Sequence, residues 1–150
     1  MSFNSLILFL HVFSGVIWVG GMIAIRVAVH PVLQSFEDGK LKLGTTLRVV
    51  GRLFNLVIPF IILLILTALY FELALNIKGS LTHIKEAIWT IMTINFIVMY
   101  IKRLKAVKLF ESGELSKVKE TVSIIPKLLL PINIVLGVIA IFIGAILRGF

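Results

Sequence analysis

The chain contains no cysteine, which excludes disulfides, thiolate metal sites and redox thiols. Charge is sparse too: Asp, Glu, Lys and Arg make up 15% of residues, against about a quarter in soluble domains. The acidic sign is the scarcer, 7 residues against 15 basic ones. Only three histidines are present, His11, His30 and His83. A metal ion would have to be held by those imidazoles and the thioethers of Met1, Met22, Met92 and Met99. Internal repeats and low-complexity tracts are absent as well.

What fills the chain instead is hydrocarbon. Hydrophobic residues make up 59% of it, and the mean hydropathy is +1.12. Leu6 to Ile25, Leu53 to Phe71 and Leu128 to Leu147 are nearly free of charge, and each approaches the roughly 20 residues a helix needs to cross a bilayer. Ala87 to Ile101 is shorter at 15 residues, so it spans only by drawing Lys85 and Glu86 into the boundary. Bare amides are not tolerated in lipid, so all four should be helical. The expectation is an all-α integral membrane protein, an antiparallel four-transmembrane-helix bundle. It forms a single domain over 1–150, with helices at about 5–29, 53–76, 84–104 and 125–148. The first segment lacks a basic leader and a small-x-small cleavage pattern, so it reads as part of the fold, not as a signal peptide.

Prolines punctuate this plan. Pro31 in "AVHPV" is expected to end the first helix, Pro59 falls in the early turns of the second, and Pro126 and Pro131 predict a kink opening the fourth. The stretch "QSFEDGKLKLGTTLRVVGR" reads as a polar connection with a short interfacial helix in its second half. "LKAVKLFESGELSKVKETV" either extends the third helix or lies on the membrane surface.

Every lysine and arginine except Lys78, Lys85 and Arg148 lies between segments one and two or between three and four. Those two connections share one side, which the positive-inside rule makes cytoplasmic, with both termini outside. An inner-membrane protein is implied, with the lipid bilayer as its first partner. The basic loops read as topology and attraction to anionic lipid, not as a nucleic-acid surface. A second copy or a redox partner is compatible with the layout.

Three helical stripes carry the chemistry. His11, Gly15, Trp18, Met22 and Arg26 fall on one face of the first helix. An imidazole facing lipid would have nothing to bond, so that face is expected to turn toward other helices. Gly15 there, with Gly20 and Gly21 near, lets a neighbour or a flat ligand approach. His11 then either ligates haem or metal, moves a proton, or makes a hydrogen bond between helices. Lys85, Met92 and Met99 form a second stripe. Lys85 is a functional candidate inside the membrane, or it snorkels outward, or it pairs with Glu72. Met22 and Met92 reach similar mid-membrane depth and suit Cu(I), although Met is also a common core filler. His83 reads as a loop or cap residue, and His30 lies at the opposite membrane end. Asn133, Gly137, Ala140 and Gly144 form the third stripe, a close-packing face with one interhelical hydrogen bond. Asn55 and Asn95 read as similar glue or as cavity lining.

These residues carry a resemblance. "LHVFSGVIWVGGMIAIRVAVHPVL" resembles the first helix of the CopD-type copper-resistance membrane domains, with their histidine, tryptophan and glycine pair. "GRLFNLVIPFIILLILTALYF" and "HIKEAIWTIMTINFIVMYIKRLK" are similar to their second and third helices. The resemblance implies copper binding or transport, or carriage of haem b, with His11, Met22 and Met92 as candidate metal ligands and His11, Gly15 and Trp18 at a cofactor face. The layout also resembles HemJ, the four-helix protoporphyrinogen oxidase associated with haem b, whose functional histidine and lysine would map onto His11 and Lys85. "WVGGM" and "SIIPK" depart from the HemJ pattern and rank it second. The third alternative is a non-catalytic membrane scaffold subunit.

Overall fold

The computed structural model describes residues 2–76 and 79–147, so Met1, Lys78 and Arg148 lie outside the described residues. Four rods follow one another. The first joins α1 (Phe3–Ala24) through a π-helical turn (Ile25–Val29) to α2 (His30–Gln34). The second is α3 (Gly39–Leu73) and the third is α4 (Ser80–Glu111). The fourth joins α5 (Leu115–Ile124) through a second π-helical turn (Ile125–Leu129) to α6 (Leu130–Ile146). Each rod runs 32 to 35 residues and is long and apolar enough to cross a membrane. At 1.5 Å per residue each is roughly 50 Å long, well beyond a hydrocarbon layer of about 30 Å.

The connections are cut by local chemistry. Asp38 caps α3, its carboxylate accepting the backbone N–H groups of Lys40 (2.8 Å) and Leu41 (3.0 Å). Gly113 takes a φ of +81° between α4 and α5. The Glu114 N–H bonds the Leu109 carbonyl and the Gly113 N–H bonds that of Phe110, the Schellman arrangement that stops a helix and reverses the chain. Asn76, at φ 52°, ends the second rod in the left-handed region that asparagine tolerates.

Short turns make sequential rods antiparallel. Around the bundle α1 packs on α3 and α6, and α4 packs on α6 and α3. The main core runs through Trp18, Met22, Phe54, Val57, Met92, Phe96 and Met99. Only 22% of each apolar window is buried inside, and residues such as Phe9, Leu66, Ile97 and Phe142 point outward. An apolar exterior of this extent fits a lipid surround.

The helices outlast the expected boundaries on the basic side. The second starts at Gly39 rather than near residue 53, the third continues to Glu111, and the fourth begins as α5 at Leu115. In place of a flat interfacial helix, α3, α4 and α5 bury a second small core of Leu43, Leu47, Ala106 and Val118. Phe110 packs over Gly44, where an added Cβ would lie 2.9 Å from its ring.

Pro31 does not end the first rod. His30, just before it, donates its N–H to the Ile25 carbonyl five residues back. Leu130, just before Pro131, does the same to Ile125. A proline ring clashes with the carbonyl four residues earlier, and the wider π-turn accommodates it without breaking the rod. Both turns lie near the basic end, on rods that pack together. The expected stripe loses Arg26: Ile25 is buried in its place, and Arg26 comes out exposed.

Candidate functional site at the His11 end

His11 sits in the third turn of α1, half-buried and turned toward α3. Its Nδ1 lies 2.8 Å from the Thr67 hydroxyl oxygen, and its ring meets Phe71 edge-on at 5.3 Å. Thr67 is buried. Its hydroxyl hydrogen points back along its own helix to the Leu63 carbonyl at 2.8 Å, with Leu64 at 3.0 Å, as helical threonines do. A hydroxyl has one hydrogen, so toward His11 the Thr67 oxygen accepts. With that hydrogen on its own helix, the Thr67 oxygen takes the Nδ1–H of His11. That is the arrangement in which a second group anchors a ligating imidazole.

Further along the stripe, Ser14 is fully buried and donates to the Leu10 carbonyl. A Cβ built on Gly15 would meet Leu64 of α3 at an ordinary 3.7 Å, so the position is in normal contact with its neighbour. Trp18 is 2% exposed and stands edge-on to Phe96. Its indole Nε1 is buried with no hydrogen-bond acceptor among the described residues.

Lys85 belongs to the same end of the bundle. A Cβ on Gly144 of α6 would lie 3.2 Å from the Lys85 Nζ. The ammonium therefore rests against the glycine face of a neighbouring helix, with the side chain half-buried. His83, two residues earlier and so on the far side of α4, is exposed and pairs with Glu86 at 3.1 Å; it lies inside the helix, whose N-cap is Gly79, and not in a loop or cap.

The thioethers do not join His11. Met22 is eleven residues inward, roughly 16 Å along the helix, and Met22 and Met92 are both 2% exposed in the main core. Met92 packs against Gly137. One ion cannot touch His11 and both methionines. Groups of three His, Cys, Asp or Glu side chains able to hold a metal are absent among the described residues. His30 is at the basic end, beside Gln34.

The third stripe meets its expectation and exceeds it. Asn133 is fully buried, donates to the Met92 carbonyl at 3.1 Å, and accepts from Asn95. Asn55 is exposed, with the Tyr100 hydroxyl donating to it at 3.4 Å. Two relationships escaped the sequence reading. Thr67, the only serine or threonine between Leu53 and Phe71, could have been found as the lone hydroxyl facing a lone imidazole. Arg103, whose Nε donates to the Leu47 carbonyl at 3.2 Å and whose guanidinium covers Gly51, leaves no comparable signal. Searches against family models, curated proteins and solved structures gave no match.

Proposed function

We propose that this chain is a CopD-like inner-membrane protein that carries haem b on the imidazole of His11, near the extracytoplasmic face. The observation that carries this reading is the His11–Thr67 pair, because a buried hydroxyl that takes the Nδ1 proton fixes the imidazole as an outer partner fixes a ligating histidine. The donor set fits one imidazole on a haem iron better than a shared copper site, since the thioethers of Met22 and Met92 lie a membrane half-depth away. Trp18 Nε1 offers a buried donor to a polar substituent. When bound, the haem would supply one-electron chemistry; the chain contributes the anchored imidazole and the exclusion of water by surrounding hydrocarbon. Charge sets the orientation: the lysine-rich and arginine-rich end faces the cytoplasm and the His11 end faces outward.

A second reading is favoured by Lys85 against Gly144. A HemJ-like protoporphyrinogen oxidase would use such an inward ammonium to hold the propionates of a tetrapyrrole beside His11. The two readings share a haem and differ in substrate.

The optical spectrum of detergent-purified protein tests the proposal. A Soret band that disappears in His11→Ala, while the variant keeps its helical circular dichroism, supports haem on His11. Copper at unit stoichiometry without a Soret band moves the assignment to metal transport, and neither signal leaves a scaffold subunit. Turnover of protoporphyrinogen, lost in Lys85→Met with the Soret band intact, selects the HemJ-like reading.

A further inference from the structure

Far from His11, α4 and α5 border a groove of about 770 Å³ lined by Val98, Ile101, Lys102, Lys105, Lys117 and Glu120, with Leu109 and Thr121 completing it. Its walls change character along the membrane normal. Val98 and Ile101 are exposed apolar residues closing the uncharged run of α4, at the depth of acyl chains. One turn on, Lys102 and Lys105 stand three residues apart on one face, where the hydrocarbon gives way to headgroups.

The charges there are not consumed by the protein. Among the described residues, no carboxylate lies within ion-pair distance of Lys102 or Lys105. Lys117, on the facing wall, is already paired with Glu114. Glu120 lowers the local charge by one but bonds to neither lysine. Two uncommitted ammonium groups above an apolar floor match one chemistry: a phosphate joined to acyl chains.

We propose that this groove is a binding site for an anionic phospholipid of the leaflet at the basic end. Lys102 and Lys105 take the phosphate, and Val98 and Ile101 lie along the first acyl carbons. The site depends on the membrane-spanning architecture alone, so it stands or falls separately from haem at His11.

The test is lipid retention by native mass spectrometry, after release from phosphatidylcholine nanodiscs containing 20% phosphatidylglycerol. The wild-type chain should retain phosphatidylglycerol over phosphatidylcholine. The double variant Lys102→Gln, Lys105→Gln should lose that preference at least fivefold. Lys108→Gln with Lys119→Gln removes the same charge from α4 and α5 outside the groove and should leave it intact. Thermal unfolding of all three proteins in one detergent verifies that each is folded. Equal losses in both double variants would show diffuse surface attraction and overturn the proposal. Displacement of the lipid by millimolar inorganic phosphate would also overturn it, because the groove would then read phosphate without its chains.

Discussion

The Asn95 side-chain amide donates at once to the Oδ1 of Asn133 (2.7 Å) and to the Leu129 carbonyl (2.8 Å). Asn133, fully buried, passes the chain on to the Met92 carbonyl. This polar lock ties α4 to α6 where both are surrounded by hydrocarbon. Interhelical hydrogen bonds in membranes are each worth about 0.6 kcal/mol on average, with larger losses when a buried partner is orphaned. Asn95→Leu should therefore destabilise the bundle by about 1–2 kcal/mol, read from unfolding in mixed micelles, and Asn95→Leu with Asn133→Leu should recover part of the loss. Full additivity of the two single losses would show that the residues do not act as a pair.

Gly137 and Gly51 both lie under a side chain, but not equally. A Cβ at Gly137 would come 2.5 Å from Val19 Cγ2, a short branched group with no room to retreat. At Gly51 the obstacle is the far end of Arg103, which can swing aside. Gly137→Ala should cost about 1–3 kcal/mol and be rescued by Val19→Ala. Gly51→Ala should cost less than half of that. Equal costs in a thermal melt would contradict the packing described.

Thr67→Val keeps the shape beside His11 and removes the oxygen that accepts its Nδ1 proton. Outer partners of ligating histidines contribute about 10–100-fold in affinity. With haem on His11, the variant should bind it about tenfold more weakly in titrations followed at the Soret band. An unchanged titration would mean that the hydroxyl merely fills space.

Asp38 predicts a pH effect confined to one helix end. The Leu41 and Lys40 N–H groups hold its carboxyl below the ordinary carboxylate range. The folded-state value is the depressed one, so the cap is present above the unfolded value of about 4 and lost as pH falls through the folded one. Amide exchange at Lys40 and Leu41, corrected for intrinsic rate, should accelerate across that acidic window. Asp38→Asn, which caps without titrating, should abolish the pH dependence, whereas Asp38→Ala should exchange fast at every pH.

Orientation is checked with fusions. An enzyme active only outside the cytoplasm should work when attached after Phe150 and be silent when inserted at Gly113, in the turn between α4 and α5. The reverse pattern would invert the proposed placement of His11.

Four helices, their order and the inward turn of His11 were legible because hydrophobic length and one isolated imidazole are strong signals. Helix ends on the basic side were not. Leu43, Leu47, Ala106 and Val118 are scattered among charges, and only tertiary packing shows that they bury one another. The proline positions also misled, since the rule that proline ends a helix assumes an α-turn before it. The thioethers illustrate the limit of depth matching: equal depth on two helices placed Met22 and Met92 in one core without bringing either to His11.

The two π-turns have a consequence for the rods that contain them. Each carries one residue more than an unbroken α-helix of its span requires, a phase step of about 100°. Above and below Ile25–Val29, and again at Ile125–Leu129, one rod obeys two different helical wheels. A single-residue deletion inside either turn should therefore be absorbed as a return to α-geometry, with the flanking faces still in register. The same deletion five residues away would rotate everything beyond it off its partner.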